Sequence, residues 1–256
     1  MAAASLLTPR PTSITEGVFF REDFIGNGTI TTNLIGQNMW TLTASGNGGT
    51  ATYGVTVTDY ESPFGGLRHL TDGTATNDGN AFTMLAASAL FPASENGGGF
   101  AFTARVPTLA GNTLTGNSFY IGMHTSVSEV APTDGISIQS VAGVLTLRVD
   151  SADGTDATQA FASGSTLTSG TTMVIDVPHQ FEVHWSGTNG QGGPRVVEAF
   201  CDGEAVASIA GLDLDNDEAA TAAIVHYVSA GNDTLELDVW NFEYWQFMDY
   251  PLAPAV

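Results

Sequence analysis

The stretch from His179 to Ala207, HQFEVHWSG…GGPRVVEAFCDGEAVA, constrains the fold more than any other part of the chain. Phe181, Val183 and Trp185 alternate with Glu182 and His184. Such alternation gives one apolar and one polar face at the two-residue period of a strand. Ser186 to Pro194 is a loop of turn formers, because Gly and Asn tolerate positive φ and Pro holds φ near −65°. Val197, Ala199 and Cys201 then resume a small apolar face. Asp202-Gly203 suits a type I′ turn and reverses the chain into Ala205 to Ile209. The stretch therefore predicts successive antiparallel strands that bury one shared face.

Similar runs recur along the chain. Val18 to Ile25, Trp40 to Thr43, Ala51 to Val57, Leu67 to Thr71, Gly99 to Val106, Ser118 to His124, Gly135 to Ser140, Val144 to Val149, Thr172 to Val177, Ala222 to Ser229 and Thr234 to Phe247 read as strands. Phe82 to Leu90 fits a strand or a short helix, and Asp213 to Ala223 is the best helix candidate. Many short strands with turn punctuation predict a sandwich or barrel. No internal repeat and no Pro/Ser-rich linker divides the 256 residues. The predicted organisation is an extended arm (1–17), one all-β antiparallel two-sheet sandwich (18–247) and a tail (248–256).

Charge narrows the partners. Six Lys+Arg against 27 Asp+Glu leave a net charge of −21, with no lysine at all. A surface this negative repels phosphates and anionic lipid, so neither nucleic acid nor membrane is an expected partner. It serves solubility, or a saline habitat in which the acidic shell is screened. Cys201 is the only cysteine; on an apolar strand face it reads as a buried, inert thiol. Residues 1–20 lack the order of a signal peptide, and no apolar run has the length of a membrane span. The expectation is a soluble chain made in the cytoplasm.

Met1 to Thr15 contains Pro9 and Pro11 and carries Arg10, with no acid before Glu16. Proline here favours an extended path. A mildly basic arm ahead of an acidic body predicts a strap onto a neighbouring subunit, with Arg10 pairing with acids there; the alternative is a strap across its own domain. The tail, with Pro251 and Pro254, is expected to reach outward in the same way.

Three blocks carry a resemblance: Phe119 to Arg148 (FYIGMHTS…TDGISIQ…GVLTLR), the central hairpins, and Leu235 to Gln246 (LELDVWNFEYWQ). They resemble the laminin-G-like, concanavalin A-like jelly rolls, and with Phe19 to Ile25 the likeness spans most of residues 18–247. The arm, the single thiol and the Gly/Thr/Ser-rich strands also resemble tailed-phage virion proteins of that class. This resemblance implies a non-enzymatic capsid decoration (cement) protein on the virion surface. Its implied partners are the major capsid protein and copies of itself, with a homotrimer favoured. The alternative it implies is a lectin-like tail or surface module that recognises host glycans.

A hydrolase of this fold needs two carboxylates about 5 Å apart. Glu236-Leu237-Asp238 begins the glucanase-like pattern, but Trp240 and Asn241 stand where the last acid belongs and Glu243 comes too late. The expectation is the polar face of a closing strand, and no enzymatic activity. Asp213, Asp215 and Asp217 begin like a calcium loop, yet Glu218 replaces the turn glycine and Ile224 the bidentate glutamate. Asp72 with Asp78, and Asp153 with Asp156, are further weak calcium candidates; no other cofactor is expected. His69, His124, His179, His184 and His226 show no metal-ligand spacing. Trp240, Tyr244 and Trp245 are expected in the core or at a subunit contact, with sugar stacking as their other use.

Overall fold

The computed structural model describes residues 17–24, 28–29, 40–44, 51–53, 67–70, 79–84, 97–107, 113–126, 133–150, 157–162, 172–186, 195–212, 220–228 and 235–247. Among them there is no helix; two antiparallel sheets form a sandwich.

One sheet has nine strands. Its order is β14 (Glu204–Leu212), β13 (Arg195–Cys201), β12 (His179–Trp185), β7 (Gly98–Arg105), β16 (Glu236–Phe247), β5 (Leu67–Leu70), β4 (Ala51–Tyr53) and β2 (Gly28–Thr29). The ninth, β1 (Gly17–Glu22), pairs with the second half of β16, beyond the residues that pair with β5. The other sheet has seven: β11 (Ala157–Ala160), β10 (Val144–Asp150), β9 (Thr133–Val141), β8 (Asn117–Ser126), β15 (Thr221–Val228), β6 (Gly79–Met84) and β3 (Trp40–Ala44).

Alternation decides which side chains meet between the sheets. Phe100, Phe102, Phe181, Val183, Trp185, Phe242 and Tyr244 from the nine-stranded sheet pack with Phe119, Ile121, Met123, Ile136, Ile138, Leu145 and Leu147 from the other. All are essentially fully buried. Each large apolar side chain removed from water contributes about 1.5–3 kcal/mol. The rings of Phe100 and Phe242 stack 5.9 Å apart, and those of Phe102 and Phe181 lie 5.0 Å apart. The predicted Asp202-Gly203 turn is present, with φ of 51° and 83° as a type I′ turn requires.

Several expectations are corrected. Residues 221–223 of the expected helix are strand β15, and Ala222 and Ala223 are fully buried. Their neighbours on β6 and β8 hold them in a ladder, which overrides local helix propensity. Thr172 to Val177 is not a strand: the Val177 amide donates to Val174 and Asp176 adopts φ of 72°, so the segment turns. Of the two readings of Phe82 to Leu90, strand is the one observed over its described residues, 82–84, which lie in β6. Gly17, the expected end of the arm, is the first residue of β1 and pairs with Phe247, while residues 1–16 and the tail lie outside the described residues.

Candidate functional site

The polar faces of both sheets point away from the core, and the register shows which residues share them. On β8, Ser118, Tyr120, Gly122 and His124 alternate with core residues Phe119, Ile121 and Met123. Across the ladders Gly122 faces Ala223 on β15 and Ser137 on β9, Ala223 faces Thr83 on β6, and Thr83 faces Thr41 on β3. In the other direction Ser137 faces Arg148 on β10, which faces Thr158 on β11. A strip of small or polar side chains thus crosses the whole seven-stranded sheet, about 29 Å at ~4.8 Å per strand. Tyr120 and Gln139 line one side of it, and His124 with Asp150 the other.

The floor of the strip depends on Gly122. A Cβ there would lie 2.2 Å from the Ile136 carbonyl oxygen, so the close approach of β8 and β9 excludes any side chain. The strip is partly exposed at Thr41, Thr83 and Arg148 and exposed at Thr158, and it is buried between Thr83 and Arg148.

The buried middle has unusual electrostatics. His124 is 1% exposed, and neither of its ring nitrogens has a hydrogen-bond partner among the described residues. The Ser137 hydroxyl is also buried without one. Burial, reinforced by the positive charge of Arg148, pushes the His124 pKa down to about 3, so the imidazole is neutral. Arg148 pairs with Asp150 and sits 5.5 Å above the Tyr120 ring. Tyr120 stacks on Tyr227 with centroids 6.1 Å apart. Burial, then the hydrogen bond to Tyr120, raises the Tyr227 phenol above its ordinary range. Near neutral pH the site presents a neutral imidazole, a protonated phenol and a guanidinium balanced by a carboxylate.

The outer face of the nine-stranded sheet is organised by ion pairs. Arg105 is fully buried, pairs with Asp238 and lies 3.4 Å from Asp176. Its guanidinium stands 5.4 Å from the Trp240 ring centroid, a cation–π arrangement. Trp240 is out of the ladder, because the pairing of β16 with β7 shifts between Val239 and Asn241. The bulge breaks the expected common parity of Trp240, Phe242 and Tyr244. Asp238 is thereby an ion-pair partner of Arg105, as the polar-face reading of β16 expects.

His179, Cys201 and Asp202 bring three ligand-type atoms within 4.8 Å of one another. Their hydrogen bonds oppose a metal. The Val174 amide donates to His179 Nε2, which fixes the proton on Nδ1, and Nδ1–H donates to Asp202 at 2.8 Å. A metal-bound Nδ1 needs the proton on Nε2, where that amide already points. The cluster is a structural clip that holds the type I′ turn, and Cys201 is fully buried within it.

Tyr244 and Trp245, expected in the core or at a subunit contact, are both fully buried inside this chain. Tyr244 packs in the core and donates to Gln246, while Trp245 lies edge-on against His184 at 5.2 Å. They offer neither a partner nor a sugar an open ring face. Arg10 and the calcium candidates Asp72, Asp78, Asp153, Asp156, Asp213, Asp215 and Asp217 lie outside the described residues. The strip itself escaped motif reading because its members come from seven strands. Its trace in the sequence is the set of residues alternating with core positions: Tyr120 and His124, Ser137 and Gln139, Arg148 and Asp150.

No protein-family model and no curated protein matches the sequence. Solved structures are similar in fold. One is the alginate lyase A1-II′ of polysaccharide lyase family 7, at 11% identity and TM-score 0.50, covering 75% of this chain and 85% of that one. A substituted form of that lyase in complex with substrate matches at 10% identity and TM-score 0.50, covering 77% and 84%. A botulinum neurotoxin type C structure, whose cell entry depends on interaction with two ganglioside molecules, matches at 12% identity and TM-score 0.52, covering 91% of this chain and 49% of that one.

These likenesses support the jelly-roll sandwich. They also correct the expectation of a protein without enzymatic activity, since the same sandwich is the scaffold of lyases. The incomplete acid pattern on β16 speaks only against a two-carboxylate hydrolase.

Proposed function

We propose that this chain is a carbohydrate-recognising module that takes up a glycan at the exposed end of the strip, around Gln139, Arg148 and Thr158. The carrying observation is that end of the strip, where Arg148 and Thr158 are open to solvent and Gln139 and Asp150 border them on either side. Saccharides present hydroxyl groups and flat apolar C–H faces. Amide, hydroxyl and guanidinium groups hydrogen-bond the former, and aromatic rings pack against the latter. The partly exposed side chain of Arg148 and the exposed ones of Thr158 and Gln159 leave this end open to a ligand, whereas the middle of the strip is closed to solvent. Support from known proteins is of fold only: a polysaccharide lyase and a ganglioside-dependent toxin share the sandwich.

In the same proposal the module serves a phage tail or a cell surface and reads host glycans. The capsid-decoration role expected from the arm has no supporting observation among the described residues. The test is a glycan array on the intact chain, followed by titration of the hits and analysis of the sugars for cleavage. Arg148→Ala and Gln139→Ala are expected to weaken binding about tenfold each, the loss of one or two hydrogen bonds. An array without hits, or hits that both variants bind unchanged, refutes the proposal.

A further inference from the structure

Lys and Arg together number six in this chain, and all six are arginine. The fold assigns four of them to the nine-stranded sheet: Arg21 on β1, Arg68 on β5, Arg105 on β7 and Arg195 on β13. Arg105 is fully buried against Asp238, and Arg21 pairs with Asp23 and Glu243. Arg148 on β10 is the only Lys or Arg among the described residues of the seven-stranded sheet. It is already balanced. Asp150, the next residue on the same face of β10, pairs with its guanidinium, which also stands 5.5 Å from the Tyr120 ring centroid. Around this ion pair the exposed end of the strip offers Gln139 and Thr146 on one side and Thr158 on the other. These three side chains bring an amide and two hydroxyls and no charge.

We infer that Asp150 sets the ligand class of this site, which takes uncharged saccharides and discriminates against anionic ones; the inference rests on the glycan reading above. Recognition of a carboxylate draws on a cation, most often an arginine, whose charge it can balance. At Arg148 that place is held by Asp150. An incoming carboxylate therefore meets a neutral pair and has to compete with a carboxylate already in position. A sugar hydroxyl faces no such competition. It is donor and acceptor at once, and it complements the ion pair, the Gln139 amide and the threonine hydroxyls without any net charge. The field of the whole chain acts in the same direction, since a net charge of −21 repels polyanions as they approach. Arg148 serves here as a hydrogen-bond donor, and Asp150 is the residue that keeps it from serving as a positive charge.

The experiment titrates two sets of oligosaccharides of matched length into the intact chain at one ionic strength. One set is neutral (glucan, mannan, galactan and xylan fragments), and the other is uronate (alginate and polygalacturonate fragments). Neutral sugars are expected to bind the wild-type chain about tenfold more tightly or better. Asp150→Asn removes the counter-charge and is expected to raise uronate affinity about five- to tenfold, with neutral-sugar affinity held within about threefold. Arg148→Gln keeps an uncharged donor; it is expected to hold neutral-sugar affinity within about threefold and, added to Asp150→Asn, to abolish the uronate gain. Equal or tighter uronate binding by the wild-type chain overturns this inference and leaves the glycan reading standing. A folded Asp150→Asn variant with unchanged uronate affinity does the same. Binding of neither set overturns the glycan reading itself. Thermal melts show which variants fold. Should Asp150→Asn fail to fold, Arg148→Gln decides: a loss of neutral-sugar affinity as large as that of Arg148→Ala shows that the site uses the positive charge, and overturns the inference.

Discussion

Replacing His124 by Phe tests the electrostatics of the strip directly. The histidine is 1% exposed, its two ring nitrogens have no partner among the described residues, and its pKa is pushed down to about 3. An unfolded histidine titrates near 6.5. Its folded pKa is depressed, so the unfolded chain binds the extra proton first and stability is lost as pH falls below about 6.5. Each pH unit in that window costs about 1.4 kcal/mol, or about 2 kcal/mol from this residue between pH 7 and pH 5. The groups around it are Arg148, Asp150, Thr221, Ser137 and Tyr120, and of these Arg148 adds to the effect. His124→Phe removes both the titration and the unpartnered nitrogens. The variant is expected to be more stable than wild type by about 1–3 kcal/mol at pH 7 and by about 2 kcal/mol more at pH 5. Equilibrium urea unfolding of both proteins at pH 7, 6 and 5 measures the difference, and shared carboxylate titrations cancel in it. A gap that does not widen as pH falls refutes a neutral, unpartnered His124.

Other consequences follow from the same structure. Asp238→Ala leaves Arg105 buried without its main counter-charge and is expected to cost about 3–5 kcal/mol; Arg105→Met with Asp238→Leu restores most of that loss in denaturant titrations. Gly122→Ala drives a Cβ into the Ile136 carbonyl and is expected to cost about 3 kcal/mol, read as a lower Tm. Asp202→Ala removes the acceptor for both His179 Nδ1 and the Gln180 amide, at a cost of about 2 kcal/mol by the same assay. Added Zn²⁺ is expected to leave Tm unchanged, because the His179 proton sits on the nitrogen that a metal would need; a rise in Tm with Zn²⁺ contradicts that tautomer.

Much of the scaffold is legible in the sequence because strand alternation is a local property. Phe181, Val183 and Trp185 announce a buried face, and Asp202-Gly203 announces the turn that ends the next strand. The likeness to jelly rolls rests on the same local repeats. Local signals fail where neighbours decide. Asp213 to Ala223 carries acids and alanines that suit a helix, yet Ala222 and Ala223 are held between β6 and β8. Trp240 has the spacing of a core residue until the β16 bulge turns it onto Arg105.

The site is the harder case. Tyr120, Ser137 and Arg148 stand apart in sequence, and each alone is an ordinary polar residue on an alternating strand. The sequence by itself determines which residues face the core, since the two-residue period needs no partner. It also determines the excess of negative charge. Only the tertiary structure decides that Gly122, Ser137 and Arg148 lie in one line across the sheet, and that His124 is stripped of water beside them. Register and burial arise from contacts between distant strands, and no single strand carries them.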